Sequence, residues 1–126
     1  MNETSANSRR TLVLTGASRG IGHATVKRFS SAGPEDHLQV DLADPADIEA
    51  GIAELKNRLG GGPLHALVNN AGISPKAGDG SRLSSLTTDM DTWRQVTQVN
   101  FYAPIILARG LLDELRLAKG SVVNVT

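Results

Sequence analysis

The stretch "LVLTGASRGIG", Leu12 to Gly22, places glycines at 16, 20 and 22 directly after an apolar run. Glycine loses the most backbone freedom on folding, so three together imply a need for bare backbone. A strand that turns through glycines into a helix N-terminus makes an anion site: the first helical turn offers unpaired N–H groups and the positive end of the macrodipole. Gly16 suits the tight turn, Gly20 the close approach of a pyrophosphate, and Gly22 the packing of helix on sheet. The spacing is Gly-x-x-x-Gly-x-Gly, and it lacks the Gly-Lys-Ser/Thr ending of a P-loop, which argues against a nucleotide triphosphatase. By itself the motif is also compatible with a glycine-rich turn that binds nothing.

Asn100 is the second residue with chemical promise. Helical spacing puts it on an apolar face with Trp93, Val96, Ala103 and Leu107, where a polar side chain needs a partner. Pro104, four residues on, has no N–H to reach the carbonyl of residue 100, so the helix should kink there and leave that carbonyl free. Asn69 and Asn70 end an apolar run, where turn chemistry is expected. The histidines (His23, His37, His65) lack ligand spacing and there is no cysteine, so no metal site is expected.

These residues need a scaffold. The chain has 126 residues, enough for one domain. Its 13 basic and 13 acidic side chains balance, which gives no electrostatic case for nucleic acid or an anionic membrane. Met1–Arg10 is polar and is expected to be a disordered leader, without the apolar core of a signal peptide. No apolar run reaches the ~20 residues that span a bilayer. A soluble, cytoplasmic protein is expected.

Strands are predicted at Thr11–Thr15, His37–Leu42, Leu64–Gly72 and Gly120–Thr126. A helix is predicted over Ile21–Ser31. Another starts at the N-cap Asp44, with Pro45 in its first turn, and ends at the C-cap Gly60. Ile73–Leu86 reads as a loop. A long helix is predicted from about Asp89 to Ala118, and its part "PIILARGLL" is apolar all round, as for a helix buried on two faces. Alternating strands and helices predict an α/β fold with a doubly wound parallel sheet and helices on both faces, in three layers.

"TGASRGIG" (Thr15–Gly22), "DLADP" (Asp41–Pro45), "NNAG" (Asn69–Gly72), "VN" (Val99–Asn100) and "GSVVNVT" (Gly120–Thr126) occur in this order. Together they resemble the short-chain dehydrogenase/reductase family, from Thr11 to Thr126. The resemblance implies a Rossmann-type domain over residues 11–126 and hydride transfer between NAD(P) and a small-molecule carbonyl or alcohol. It implies that Gly16, Ser18, Arg19, Gly20, Ile21 and Gly22 line the cofactor pyrophosphate. Arg19 would favour NADP over NAD through the 2′-phosphate. Asp41 and Leu42 would meet the adenine, and Asn69, Ala71 and Gly72 would run along the cofactor. Asn100 would be catalytic, its carbonyl holding a water of the proton relay. It also implies a homodimer or homotetramer through the 89–118 helix. "TGASRGIG" is similar to the loop of ketoacyl-carrier-protein reductases, but fold analogy does not choose a substrate.

Two departures stand out. Between Gly33 and Asp41 the family has a further strand and helix, where this chain has only "PEDHLQV". Asp41 then lies about 20 residues past the glycine loop, the separation of a ribose-binding acid, and that reading favours NAD. The family's catalytic serine and Tyr-x-x-x-Lys are also missing. The only tyrosine is Tyr102, residue 106 is Ile, and the ring is expected to be packed within its helix. Either residues are left out of the sequence or it encodes a shortened, inactive relative. The alternatives to an oxidoreductase are a non-catalytic nucleotide-binding fragment and a structural fragment with an exposed apolar helix.

Overall fold

The computed structural model describes residues 9–18, 20–29 and 34–126. Three parallel strands form one sheet in the order β1 (Leu12–Leu14), β2 (Ala66–Asn69), β3 (Ser121–Asn124). Leu12 lies opposite Ala66, and Ala66 opposite Ser121. The ladder runs on at both ends, with Thr15 N–H donating to Val68 O at 3.1 Å and Val125 N–H to Asn69 O at 2.9 Å. Parallel neighbours need long crossovers, and helices fill them.

The helices are α1 (Gly20–Phe29), α2 (Pro45–Leu59), α3 (Met90–Thr97), α4 (Ala103–Gly110) and α5 (Leu112–Ala118). The ends of α2 match the sequence signals. The Asp44 carboxylate accepts the Ala46 N–H at 3.0 Å, and Gly60 closes the helix in the left-handed conformation at φ 57°. Asp89 caps α3 through the Thr92 N–H and hydroxyl.

Ile48 and Ile52 of α2, Leu67 of β2, Ala103 and Leu107 of α4, and Leu111 and Leu115 form the core together with Leu64. Buried Glu114 adds a polar tie: it pairs with Lys56 of α2 at 2.5 Å, while Lys56 also donates to Gly110 O. β3 is exposed along its whole length. The result is a Rossmann-type α/β fold with an incomplete sheet.

Five expectations are corrected. His37–Leu42 is not a strand, because β1 pairs only with β2 among the described residues. The segment lies along α2 instead: Arg58 donates to the carbonyls of Glu35 and His37, and Val40 packs against Gly51.

The helix expected over 89–118 is interrupted twice. A π-helical turn spans Gln98–Tyr102, just ahead of Pro104, and Leu111 breaks the chain between α4 and α5. The π turn inserts extra backbone and rotates α4 relative to α3. The buried stripe is therefore Val99, Ala103, Leu107, Leu111 and Leu115, and Asn100 and Trp93 are exposed. "PIILARGLL" buries one stripe, with Ile105 and Leu112 exposed. Tyr102 is half exposed and meets the edge of Phe101, at 5.2 Å between ring centres. Most of the expected leader, Met1–Arg10, lies outside the described residues, as do Arg19 and the expected end of the first helix at Ala32-Gly33.

Candidate functional site

The glycine loop and the "NNAG" segment emerge at the carboxyl ends of the neighbouring strands β1 and β2, and side chains stitch them together. Thr15 Oγ1 accepts the N–H groups of Asn70 at 3.1 Å and Ala71 at 3.0 Å. Asn70 Nδ2 donates back to Gly16 O at 3.2 Å. Gly16 has φ 70°, and a Cβ there would lie 2.9 Å from Ala71 Cα. Gly22 is buried, and a Cβ there would run into the Gly16 carbonyl and the Asn70 amide. These two glycines are fixed by the contact of loop, helix and strand end.

Gly20 differs. It takes φ 61° at the first residue of α1, yet nothing lies within 4 Å of where a Cβ would stand. The bare backbone there faces open space, flanked by exposed Ser18 and Ile21. The first turn of α1 has no acidic residue, whereas α2 and α3 begin with Asp47 and Asp91. The positive end of this helix is thus left without a carboxylate of its own, as an anion site requires. The residues present fit the pyrophosphate of a dinucleotide.

Asn100 reaches the same end of the sheet from the π turn. Its Oδ1 accepts the Ile73 N–H and its Nδ2 donates to the Ile73 carbonyl, both at 2.8 Å. Oδ1 also lies 3.5 Å from the Cβ position of Gly72. The amide thus pairs with backbone as a neighbouring strand would, and it satisfies both of its functions while exposed. Gln98, in the same turn, keeps its Nε2 buried without a partner.

The structure therefore brings Gly16, Gly20, Gly22, Ala71, Gly72 and Asn100 to one end of the sheet. Asn69 is buried and turned to β3, with Nδ2 on Asn124 Oδ1 at 3.0 Å and Oδ1 without a partner. Asp41 and Leu42 occupy the turn before α2. Asp41 accepts from Ala43 N–H and its own N–H donates to Asp47, while Leu42 packs on the core. Thr15 and Asn70 are the residues that join the loop to the end of β2. Both stand inside the motifs, and only the three-dimensional pairing shows that they join them.

Beside Asn100 a cavity of about 570 Å³ opens between α3 and the loop after β2. Ile73, Lys76, Arg82, Thr88, Trp93 and Asn100 are among its walls. A second hollow of about 780 Å³ lies along α3 at Gln98 and Tyr102 and shares only Trp93 with the first. Among the described residues there is no cluster of His, Asp or Glu fit for a metal ion, and no helix is long and apolar enough to cross a membrane.

A family model described as Enoyl-(Acyl carrier protein) reductase matches residues 3–126. Protein FixR of Bradyrhizobium diazoefficiens is 52% identical over 93% of this chain and 50% of its own length. The aligned stretch is 138 residues, longer than this chain, so the relative carries residues with no counterpart here. The crystal structure of an oxidoreductase (short chain dehydrogenase/reductase) from Brucella ovis is 64% identical with TM-score 0.87, covering 94% of this chain and 61% of that one. Another Brucella ovis structure of that family, in complex with a partially ordered NAD, is 60% identical with TM-score 0.86, covering 94% and 63%. The chain spans about half the length of the first curated relatives it matches.

Proposed function

The chain belongs to the short-chain dehydrogenase/reductase family, and on that premise we propose that it is the dinucleotide-binding part of an NAD(P)-dependent oxidoreductase acting on a small carbonyl or alcohol compound. The observation that carries this reading is Gly20: a left-handed glycine at a helix start with open space where its Cβ would be. Gly16 and Gly22 shape the loop. The backbone of Ser18, Gly20 and Ile21 offers N–H groups to the pyrophosphate, and Arg19 is assigned to the same loop. Ala71 and Gly72 run beside the cofactor, Asn69 braces the sheet behind them, and Asp41 and Leu42 reach the adenine. When bound, the nicotinamide accepts or delivers the hydride.

Asn100 positions the reaction zone. Its side chain fixes Ile73, and Pro104, four residues on, has no N–H to offer its carbonyl. That carbonyl holds the water through which the proton passes. The sequence has no Tyr-x-x-x-Lys, and its one tyrosine, Tyr102, is followed by Ile106 at the lysine position. The 126-residue polypeptide therefore binds dinucleotide without turning over a carbonyl substrate.

Arg19 favours NADP through the 2′-phosphate, which a guanidinium grips with two parallel bonds. NAD is the second reading, favoured by the relative that holds it. Self-association is assigned to the 89–118 segment, where Phe101, Ile105 and Leu112 are exposed. The cytoplasm is the proposed location.

Calorimetric titration with NADPH and NADH tests the reading. The expected result is saturable binding of at least one, with NADPH tighter by about tenfold and the preference lost in Arg19→Ala; tenfold is the ~1.4 kcal/mol of one added charge-assisted contact. Failure of a folded protein to bind either overturns the dinucleotide reading. Carbonyl reduction by this polypeptide alone overturns the expectation that it does not turn over.

A further inference from the structure

The loop between β2 and α3 holds an arrangement that the dinucleotide does not use. It doubles back so that Lys76 and Arg82 face each other across an isolated antiparallel bridge. The turn between them is closed by Ala77 N–H on Ser81 O at 3.0 Å and Gly80 N–H on Ala77 O at 2.8 Å. Like charges placed directly opposite repel. Ion pairs elsewhere join Lys56 to Glu114, Arg58 to Glu54 and Arg94 to Asp91, and neither cation of the bridge is in one among the described residues. The acid of the turn, Asp79, turns its Oδ1 to the N–H and hydroxyl of Ser81, at 2.9 and 2.6 Å, and forms no ion pair with either cation among the described residues.

Both cations line the 570 Å³ cavity, and no Asp or Glu lines it. The hydroxyls of Ser84 and Ser85 add donors to the wall, those of Thr88 and Thr92 being spent on the Ser84 carbonyl and the Asp89 carboxylate, and Asn100 stands in the same cavity. Two cations outside any ion pair among the described residues, two serine hydroxyls and no acid in the wall describe a pocket for an anion.

Resting on the dinucleotide reading above, we propose that the substrate is anionic: a carbonyl or alcohol compound whose carboxylate or phosphate is held by Lys76 and Arg82. The bridge sets the two cations side by side, and a carboxylate or phosphate has the oxygens to accept from both. The hydroxyls of Ser84 and Ser85 add to its shell, and the remainder of the compound extends toward Asn100. Exposed cations in a salt solution are screened, so the grip is sensitive to ionic strength.

The chain has one tryptophan, and Trp93 lines this cavity. Its fluorescence reports occupancy without any need for turnover. The protein, first saturated with oxidised dinucleotide, is titrated with 4-oxopentanoate and with its neutral analogue 4-oxopentanamide. The expected result is binding of the carboxylate at least about tenfold tighter than the amide, the scale of one charge-assisted hydrogen bond. That ratio falls toward one at high salt and in the double variant Lys76→Ala/Arg82→Ala, while Lys76→Arg retains it. The variants lie in an exposed loop, and their thermal unfolding serves as the check on folding.

Equal binding of the two probes overturns the proposal, as does selectivity that survives the double variant. A double variant that weakens dinucleotide and leaves the probe ratio intact also overturns it, since the pair would then serve the cofactor phosphates. Loss of dinucleotide binding in the unsubstituted protein is a different failure and strikes the family-based function instead.

Discussion

An alanine at residue 22 meets the Gly16 carbonyl and the Asn70 amide, and neither can move without undoing the joint between loop and strand end. An alanine at residue 20 meets nothing. The two substitutions therefore separate folding from binding. Gly22→Ala is expected to cost about 3 kcal/mol of stability, the upper part of the range for overpacking, because backbone is in the way. Gly20→Ala incurs only the left-handed backbone penalty, about 1 kcal/mol. Its methyl group instead occupies the open space assigned to the pyrophosphate. Dinucleotide affinity should fall more than about tenfold, the equivalent of ~1.4 kcal/mol. Urea unfolding and dinucleotide titration of both variants check this, and equal affinity of Gly20→Ala and the parent would remove the loop's role. At this scale the sequence is most readable where one residue type answers one demand. The glycine spacing marks strand, turn and helix start before any coordinates. Thr15 and Asn70 are less legible, since a hydroxyl and an amide have many uses and only the approach of β1 to β2 selects this one.

Elements show why some signals transfer and others fail. The ends of α2 are local events: Asp44 caps the N–H of Ala46, Gly60 turns left-handed, and both are written within a few residues. His37–Leu42 has the composition of a strand, but a strand is a relation to a neighbour, and this segment lies against α2 and Arg58. The helix of residues 89–118 fails for a related reason. Pro104 announces a disturbance, yet the π turn places its extra backbone before the proline and changes which later residues lie on the buried side. Extrapolated from Trp93 and Val96, the stripe passes through Asn100; in the fold it begins at Val99. The outcome gives Asn100 its use, because the turn presents the amide to the backbone of Ile73. Asn100→Ala should lose both hydrogen bonds, each worth about 1 kcal/mol when partly exposed. Hydrogen exchange is expected to speed at the Ile73 amide and through the loop to Thr88, with α2 unaffected. Unchanged exchange at Ile73 would show that the loop holds itself. The Lys76–Arg82 bridge is invisible to periodicity, since a single antiparallel pair inside an irregular loop has no repeat to detect.

Across the whole molecule, one polar contact ties the first crossover to the last. Lys56 on α2 binds the Glu114 carboxylate and the Gly110 carbonyl, and the backbone carbonyl of Glu114 accepts the Leu64 N–H just ahead of β2. α2, the α4–α5 junction and the entry to the sheet meet there. The Lys56 bond holds the Glu114 carboxyl below its ordinary 4.5, outweighing the effect of burial. A carboxyl with a lower pKa folded than unfolded stabilises the fold while ionised. Its contribution is complete above about pH 4.5 and disappears as pH falls through the lower folded value. Asp79 and Asp89 are lowered as well, by Ser81 and Thr92, so they act in the same direction. They belong to an exposed turn and a helix cap, where solvent weakens the effect.

Glu114→Gln separates the tether from that background. The amide keeps the shape and accepts from Lys56, but it has no proton to gain. The variant should be less stable than the parent at neutral pH by at most about 1.5–3 kcal/mol, the range for a hydrogen bond to a charged group. Half-exposed Lys56 returns to water, which keeps the loss below that of a fully buried pair. On acidification the parent should lose stability more steeply than the variant, and the two curves should converge below about pH 4.5. Denaturant unfolding across that window gives both curves. Parallel curves would mean that the ionised carboxylate adds nothing to the fold, and that α2 and the α4–α5 junction are held by Ile52 packed against Gly110 and the rest of the apolar core.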